Sequence, residues 1–507
     1  MKREDLHIAQ EYALQCYENG ENIFLTGPGG TGKSSLIRLM LEYTPKKKKV
    51  QVCAMTGCAA ILLNCHATTI HSWSGIKIPK GANSQIVTNV CNNKKSCSTW
   101  RNTDILILDE VSMLSVRLLE LLNEIAQTIR KSKLPFGGMQ LVFCGDFFQL
   151  PPIFISNRGN KDDQGSDQFC FESPLWNQLF SLDNHIELTK LFRQKDPEYK
   201  KVLNHIRKGI IDQDDMNLLK SRLHVPYNPD EHNNVVPTKL YATKARVEQI
   251  NKREFDLLDT ACYEYHIDQT TDYNPTDAMN NVISSYVKVT KTKLSKLKEE
   301  MEFRYLIENS PIEKILYLKE GANVMCTVNL DIENGICNGA LGKVIGFQTQ
   351  SKGPPLPIVL FENGVEKLFS MKWWNSEDNP NIAIGQIPLK LAWAMTIHKS
   401  QGATLPMGEV DIGSTIFECG QTYVALSRIQ SLDGLYLCAL NPHKIRVNKK
   451  VQAFYQKIPQ CEYEEDSEEA EEAEEVEEEK IDTRIEPQNI ENLDEKLNTL
   501  EYRTIMI

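Results

Sequence analysis

Eight consecutive residues, Gly27-Pro28-Gly29-Gly30-Thr31-Gly32-Lys33-Ser34, have the types and order needed to hold a polyphosphate. The glycines leave room for backbone N–H groups to close around phosphate oxygens, and the positive end of a following helix adds a favourable field. Lys33 is spaced to reach the outer phosphates, and the Ser34 hydroxyl to ligate magnesium. An apolar run at 23–25 precedes the loop and an apolar-periodic segment at 35–40 follows it. Strand, glycine loop and helix is the context this motif requires, so a bound nucleoside triphosphate is expected.

Two further segments carry matching chemistry. Ile105-Leu106-Ile107-Leu108 runs into Asp109-Glu110, a buried-strand pattern ending in adjacent carboxylates. Asp109 is suited to hold magnesium, and Glu110 to orient and deprotonate an attacking water. A second apolar strand leads into Gly145-Asp146-Phe147-Phe148-Gln149-Leu150-Pro151-Pro152, where the Gln149 amide could contact both the terminal phosphate and that water. From the residues alone, this second segment reads equally well as loop packing.

These groups need a scaffold that delivers strand ends to one edge. Residues 1 to about 185 alternate short apolar runs (23–25, 50–55, 105–108 and 140–144) with helical patterns, which argues for a parallel sheet covered by helices. The polar stretch 84–98 reads as an insertion or loop. A second set of runs appears at 239–242, 322–326, 343–347, 358–361 and 434–440. The region 256–385 turns β-rich toward its end, as a small barrel inserted into a second α/β domain would.

At 507 residues the chain is long for one core, and its 41% hydrophobic and 25% charged residues are those of a soluble globular protein. No apolar stretch approaches the length of a membrane span. Met1-Lys2-Arg3-Glu4-Asp5 is neither a secretory signal nor a transit peptide. The fourteen cysteines include no CxxC pair, so they read as reduced thiols of an intracellular protein rather than a metal centre. The net charge of −11 conceals an uneven distribution: thirteen of the eighteen residues from 462 to 479 are acidic. Up to Cys461 the chain carries 53 bases against 49 acids, a net +4, which is compatible with a nucleic-acid partner. The acidic segment cannot bury a core, and 446–507 reads as a largely disordered tail. Solubility, DNA mimicry and binding of a replication or repair protein all remain open for it. Lys46 to Lys49 reads as a solvated turn, a phosphate contact or an import signal.

Asp109-Glu110-Val111-Ser112-Met113, followed by the Gly145–Pro152 segment, closely resembles the petite-integration-frequency (Pif-one) DNA helicases, superfamily-one relatives of RecD. Thr56-Gly57-Cys58-Ala59-Ala60, Thr69-Ile70-His71-Ser72, Glu187 through Gln194, Arg207-Lys208-Gly209, Asn338 through Gly342, Trp393 through Gly402 and Tyr423 through Arg428 follow in that family's order, spanning residues 6 to 440. The resemblance implies two RecA-like domains, 1–185 (with a small insertion near 72–100) and 186–255 with 386–445. Residues 256–385 would form a β-rich, SH3-like insertion.

The same resemblance implies ATP as substrate, with Gln10 reading adenine and Gly27, Pro28, Gly29, Gly30, Thr31, Gly32, Lys33 and Ser34 cradling the phosphates. Mg2+ would sit on Ser34 and Asp109. Arg193 and Arg428 would join Lys33, Asp109, Glu110 and Gln149 in catalysis, delivering positive charge to the transferring phosphate; outside the motif context each arginine suits a structural ion pair. Thr56, His71, Thr396, His398, Lys399, Gln401, Gln421 and Tyr423 would contact DNA without reading sequence, Gln401 also coupling nucleotide state to DNA grip. His71 equally suits a satisfied core histidine, and Trp73 and Trp393 read as packing. The implied activity is ATP-dependent 5′-to-3′ translocation on single-stranded DNA and unwinding of duplex or structured DNA, by a monomer at the nucleus or another site of genome replication. A RecD-like subunit of a recombination complex and an ATP-gated DNA-binding protein are the alternatives.

Overall fold

The computed structural model describes residues 3–459, apart from 64, 66, 77–81, 153–167, 195, 229–235, 275–295, 311, 329, 332–333, 335, 337, 352 and 377–378. The acidic segment and the rest of 460–507 lie outside the described residues. The first sheet has six strands: β1 (Ile23–Thr26), β2 (Val50–Ala54), β3 (Thr68–Thr69), β4 (Ile105–Asp109), β5 (Gln140–Cys144) and β6 (His185–Glu187). Their order is β3-β2-β4-β5-β1-β6, and every pairing is parallel. β1, β4 and β5 are buried along their whole length, as continuous aliphatic runs covered on both faces must be.

A second parallel sheet runs Ala394–Thr396, Thr238–Tyr241, Gly408–Ile412, Leu435–Leu440. Its first two neighbours are separated by some 150 residues of sequence. Part of that excursion forms a five-stranded antiparallel sheet in the order Glu366–Leu368, Leu356–Phe361, Leu341–Gln348, Asn323–Cys326, Leu389–Leu391. Each of the three sheets packs on its own apolar cluster.

Two expectations are corrected. The polar stretch 84–98 is not a loop but two helices, Asn83–Asn92 and Lys94–Asn102. Few apolar residues suffice there: Ile86, Val87, Val90, Cys97 and Trp100 are buried, and Trp100 packs on Trp73 in a tilted pair with ring centres 4.3 Å apart. Nor does the ordered body end at 445. The helix Lys449–Tyr455, capped by Asn448, and the turn after it put Val451, Phe454, Tyr455 and Ile458 against the first cluster, an i, i+3, i+4, i+7 stripe. Lys46 to Lys49 lies in an exposed turn.

Candidate nucleotide site

All six strands of the first sheet point their carboxyl ends to one edge, where ligands of such sheets bind. The glycine loop leaves β1, Asp109 and Glu110 end β4, and Gly145 follows β5. The loop is packed from outside by the segment after β6: Leu188 N–H donates to the Thr26 carbonyl (2.9 Å) and Phe192 N–H to that of Gly30 (2.9 Å). Gly30 has a φ of +95°, and a Cβ there would lie 2.5 Å from Cβ of Arg193, so only glycine fits.

A cavity of about 840 Å³ opens over this edge, lined by Gln10, Gly29, Gly30, Gly32, Lys33, Ser34, Asp109, Glu110, Gln149, Arg193 and Arg428 among others. Lys33 Nζ donates to the carbonyls of Gly27 (2.7 Å) and Pro28 (2.7 Å), and burial lowers its pKa. Thr31 Oγ1 donates to the Pro28 carbonyl (3.0 Å), closing the loop on itself. Gln10 accepts from His7 N–H (3.1 Å) and donates to the Thr31 carbonyl (3.2 Å), so its amide ties the first helix to the loop.

Asp109 accepts from Glu110 N–H (2.8 Å), and burial raises its pKa. Glu110 adopts the left-handed conformation (φ 58°), which non-glycine residues seldom take outside functional sites. Burial, then the charge of Asp109, pushes its carboxyl up to about 7; Arg428, Lys33 and a bond from Gln401 Nε2 (2.8 Å) oppose the rise. Gln149 is 6% exposed, and among the described residues its Oε1 has no hydrogen-bond partner. Such an orphaned acceptor suits a water or ligand donor.

The guanidiniums of Arg193 and Arg428 both lie at Gly29 of the loop. Arg193 donates to the Ser427 carbonyl (3.0 Å), and Arg428 to the Val424 carbonyl (3.0 Å) and Ser427 Oγ (2.8 Å). Neither has a carboxylate salt-bridge partner among the described residues, and a Cβ on Gly29 would lie 3.1 Å from Arg428 and 3.3 Å from Arg193. Burial lowers the pKa of both, and for Arg193 the neighbouring Arg428 adds to it. Two unpaired guanidiniums against a glycine loop make a strong anion site.

Thr56 and His71 follow β2 and β3, on the flank of the same edge. Thr56 Oγ1 caps its helix through Ala59 N–H, and His71 is half-buried, which lowers its pKa. Thr396 caps a short helix that carries His398 and an exposed Lys399, and His398 stacks on Phe417. Two of the residues expected at DNA are buried here. Tyr423 is 3% exposed, and its hydroxyl accepts from Gly29 N–H (3.1 Å), so it faces the phosphate loop. Gln421 is fully buried, and its Oε1 accepts from Phe417 and Glu418 N–H, which holds that loop. Gln401 is spent on Glu110.

Asp146, Glu187 and Arg207, quoted within motifs but given no role of their own, and Tyr455, which no motif includes, prove to be joined. Arg207 is 2% exposed and chelates the fully buried Asp146 (3.0 Å) and Glu187 (2.8 Å). A lone Arg-Lys-Gly motif gives no sign of such a partner.

Two parallel sheets closing one phosphate-binding cavity define a P-loop NTPase with two RecA-like domains. The profile described as PIF1-like helicase matches residues 6–217, and that of the DNA helicase Pif1 2B domain matches residues 305–347. The crystal structure of Pif1 helicase from Candida albicans superposes with a TM-score of 0.68 at 33% identity, over 90% of this chain and 99% of that one. The chain belongs to the PIF1-like helicase family. A Bacteroides Pif1 helicase in complex with ADP-AlF3 and single-stranded DNA matches at 27% identity and a TM-score of 0.58, over 90% of this chain and 98% of that one. ATP-dependent DNA helicase RRM3 of Saccharomyces cerevisiae is 32% identical over 86% of this chain and 65% of its own length. The chain thus spans just under two thirds of the curated relatives it matches.

Proposed function

We propose that this chain is an ATP-dependent DNA helicase that translocates 5′ to 3′ on single-stranded DNA and unwinds duplex or structured DNA in genome maintenance. The observation that carries the reading is the convergence of Lys33, Asp109, Glu110, Gln149, Arg193 and Arg428 on one cavity. The Bacteroides relative whose complex holds ADP-AlF3 and single-stranded DNA supports both halves of it.

The donor set fits a magnesium nucleotide: a serine hydroxyl and a carboxylate are hard oxygen ligands. Ser34 and Asp109 would hold Mg2+, which supplies charge neutralisation across the outer phosphates. Lys33 exchanges the loop carbonyls for phosphate oxygens. Glu110 takes the proton of the attacking water, whose other contact is the free Oε1 of Gln149. Arg193 and Arg428 neutralise charge developing on the transferred phosphoryl group. Gln10, at the cavity wall, reads adenine.

For DNA, Thr56, His71, Thr396, His398 and Lys399 grip the strand, and Gln401 reports its presence to Glu110. Residues 1–185 and 186–255 with 386–445 form the two RecA-like domains, and 256–385 an SH3-like insertion. The working unit is a monomer acting where DNA is replicated, with the acidic segment available to a replication or repair partner. Among the described residues no helix is long and apolar enough to cross a membrane.

The test is ATP-driven opening of a duplex carrying either a 5′ or a 3′ single-stranded tail, beside Lys33→Ala. Opening of the 5′-tailed substrate alone, lost in the variant, is the expected result. DNA-stimulated hydrolysis that opens neither substrate would overturn the unwinding claim.

A further inference from the structure

The helix Lys449–Tyr455 follows the last strand of the second sheet yet returns to the first. Its Val451 and Phe454 pack in the first cluster, while Gln452 donates to the Lys208 carbonyl (2.9 Å) at the end of the helix that carries Arg207. Tyr455, partly buried, makes the polar contacts. Its hydroxyl accepts from Phe147 N–H (3.1 Å), bonds Thr26 Oγ1 and donates to Asp146 Oδ1 (3.2 Å). Its ring stacks on Phe148 with centres 4.5 Å apart, and the Arg207 guanidinium lies 5.2 Å over it.

A phenol offers one donor and two acceptor sites. Here all three are used: toward the residue just before the glycine loop, the backbone two residues before Gln149, and the carboxylate that holds Arg207. Burial pushes the Tyr455 pKa well up, so the hydroxyl keeps its proton and stays a donor. Each of its partners is itself fixed. Asp146 is fully buried, and Thr26 closes β1, whose carbonyl receives Leu188 N–H.

We infer that Tyr455 is a positioning residue for ATP hydrolysis, its hydroxyl locking the glycine loop, the Gln149 loop and the Arg207 helix into one register. The inference rests on the proposed role of the nucleotide site. The hydroxyl touches no group placed in catalysis directly. It sets where Gln149 and the loop glycines stand relative to one another, which matters when a displacement of an ångström costs orders of magnitude in rate. It also makes the helix that returns from the second sheet part of the hydrolytic machinery: when the sheets move against each other, the bond must follow or break.

The test uses the full chain with Tyr455→Phe, which keeps the ring and removes only the hydroxyl, and with Thr26→Val and Thr26→Ser. DNA-stimulated ATP hydrolysis is measured as kcat and KM, beside Gln149→Ala and thermal unfolding of each variant. Expected is a loss of kcat of about tenfold in Tyr455→Phe with KM for ATP within about twofold, since the missing bond shapes the transition state and not nucleotide capture. Thr26→Val should lose less on the Tyr455→Phe background than alone, and Thr26→Ser should restore the wild-type rate. A lowered melting temperature with unchanged kcat in Tyr455→Phe would make the hydroxyl merely structural and overturn the inference. A normal loss in Gln149→Ala with none in Tyr455→Phe would do the same and leave the reading of the site intact. No loss in Gln149→Ala would overturn that reading and the inference together.

Discussion

Replacing Gln401 by alanine cuts the hydrogen bond that joins Glu110, at the end of β4, to the element bearing Thr396, His398 and Lys399. The bond is 2.8 Å long and its donor is 9% exposed, so it is a charge-assisted bond shielded from water. Such bonds contribute about 1.5–3 kcal/mol, or roughly 10- to 150-fold in a rate that depends on them. The effect has a direction in pH as well. Burial and Asp109 hold the Glu110 carboxyl at about 7, and the Gln401 bond pulls it down. Without that bond the carboxyl titrates higher, so less of it is ionised at neutral pH and less base is available. DNA-stimulated ATP hydrolysis is the assay, run from pH 5.5 to 9 with kcat and KM separated. The expected outcome is a kcat lower by one to two orders of magnitude at pH 7, little change in KM, and an acidic limb displaced to higher pH. The deficit should therefore shrink as pH rises. An unaltered limb with unaltered kcat would refute the link between Gln401 and the base, and a change confined to KM would place Gln401 in nucleotide capture instead.

Arg428→Ala and Arg193→Ala should each lower kcat by about 10³-fold or more while binding of a labelled nucleotide falls far less, as expected for cations that act on the transferring phosphate; equal losses in both would mark them as simple anion anchors. Glu110→Gln should also change the response of stability to pH. With its carboxyl raised from 4.5 to about 7, the folded chain binds a proton that the unfolded chain has released, so this group's contribution falls as pH rises across that window. Denaturation midpoints measured from pH 4.5 to 7.5 should decline with pH more steeply in the wild type than in the variant.

How much of this was legible depended on whether a signal is local in sequence. The glycine loop, the apolar run before Asp109 and the strand leading to Gly145 each specify their own conformation, and β1, β4 and β5 form within one residue of expectation. Polar and charged groups on strand ends come together once the parallel order is adopted, so the cavity's lining could be anticipated without knowing the sheet's register. What escaped was set by sparse or distant partners. The helices of 83–102 declare themselves through only a few buried side chains, hidden among Asn, Ser and Lys. The stripe Val451, Phe454, Tyr455, Ile458 is as regular as any in the chain, but it abuts an acidic run that dominates the local composition. Arg207 and Asp146 lie 61 residues apart, and nothing in either neighbourhood announces the other. Tyr423 and Gln421 are placed by different partners: the Tyr423 hydroxyl crosses to Gly29 in the glycine loop, while Gln421 is held by Phe417 and Glu418 of its own segment. Gly420, next to them, shows why the crossing is tight. Its φ is +77°, and a Cβ there would fall 2.5 Å from the Phe148 and Gln149 carbonyls. Residues at a seam between two domains answer to both, and a motif read within one of them sees only half of the constraint.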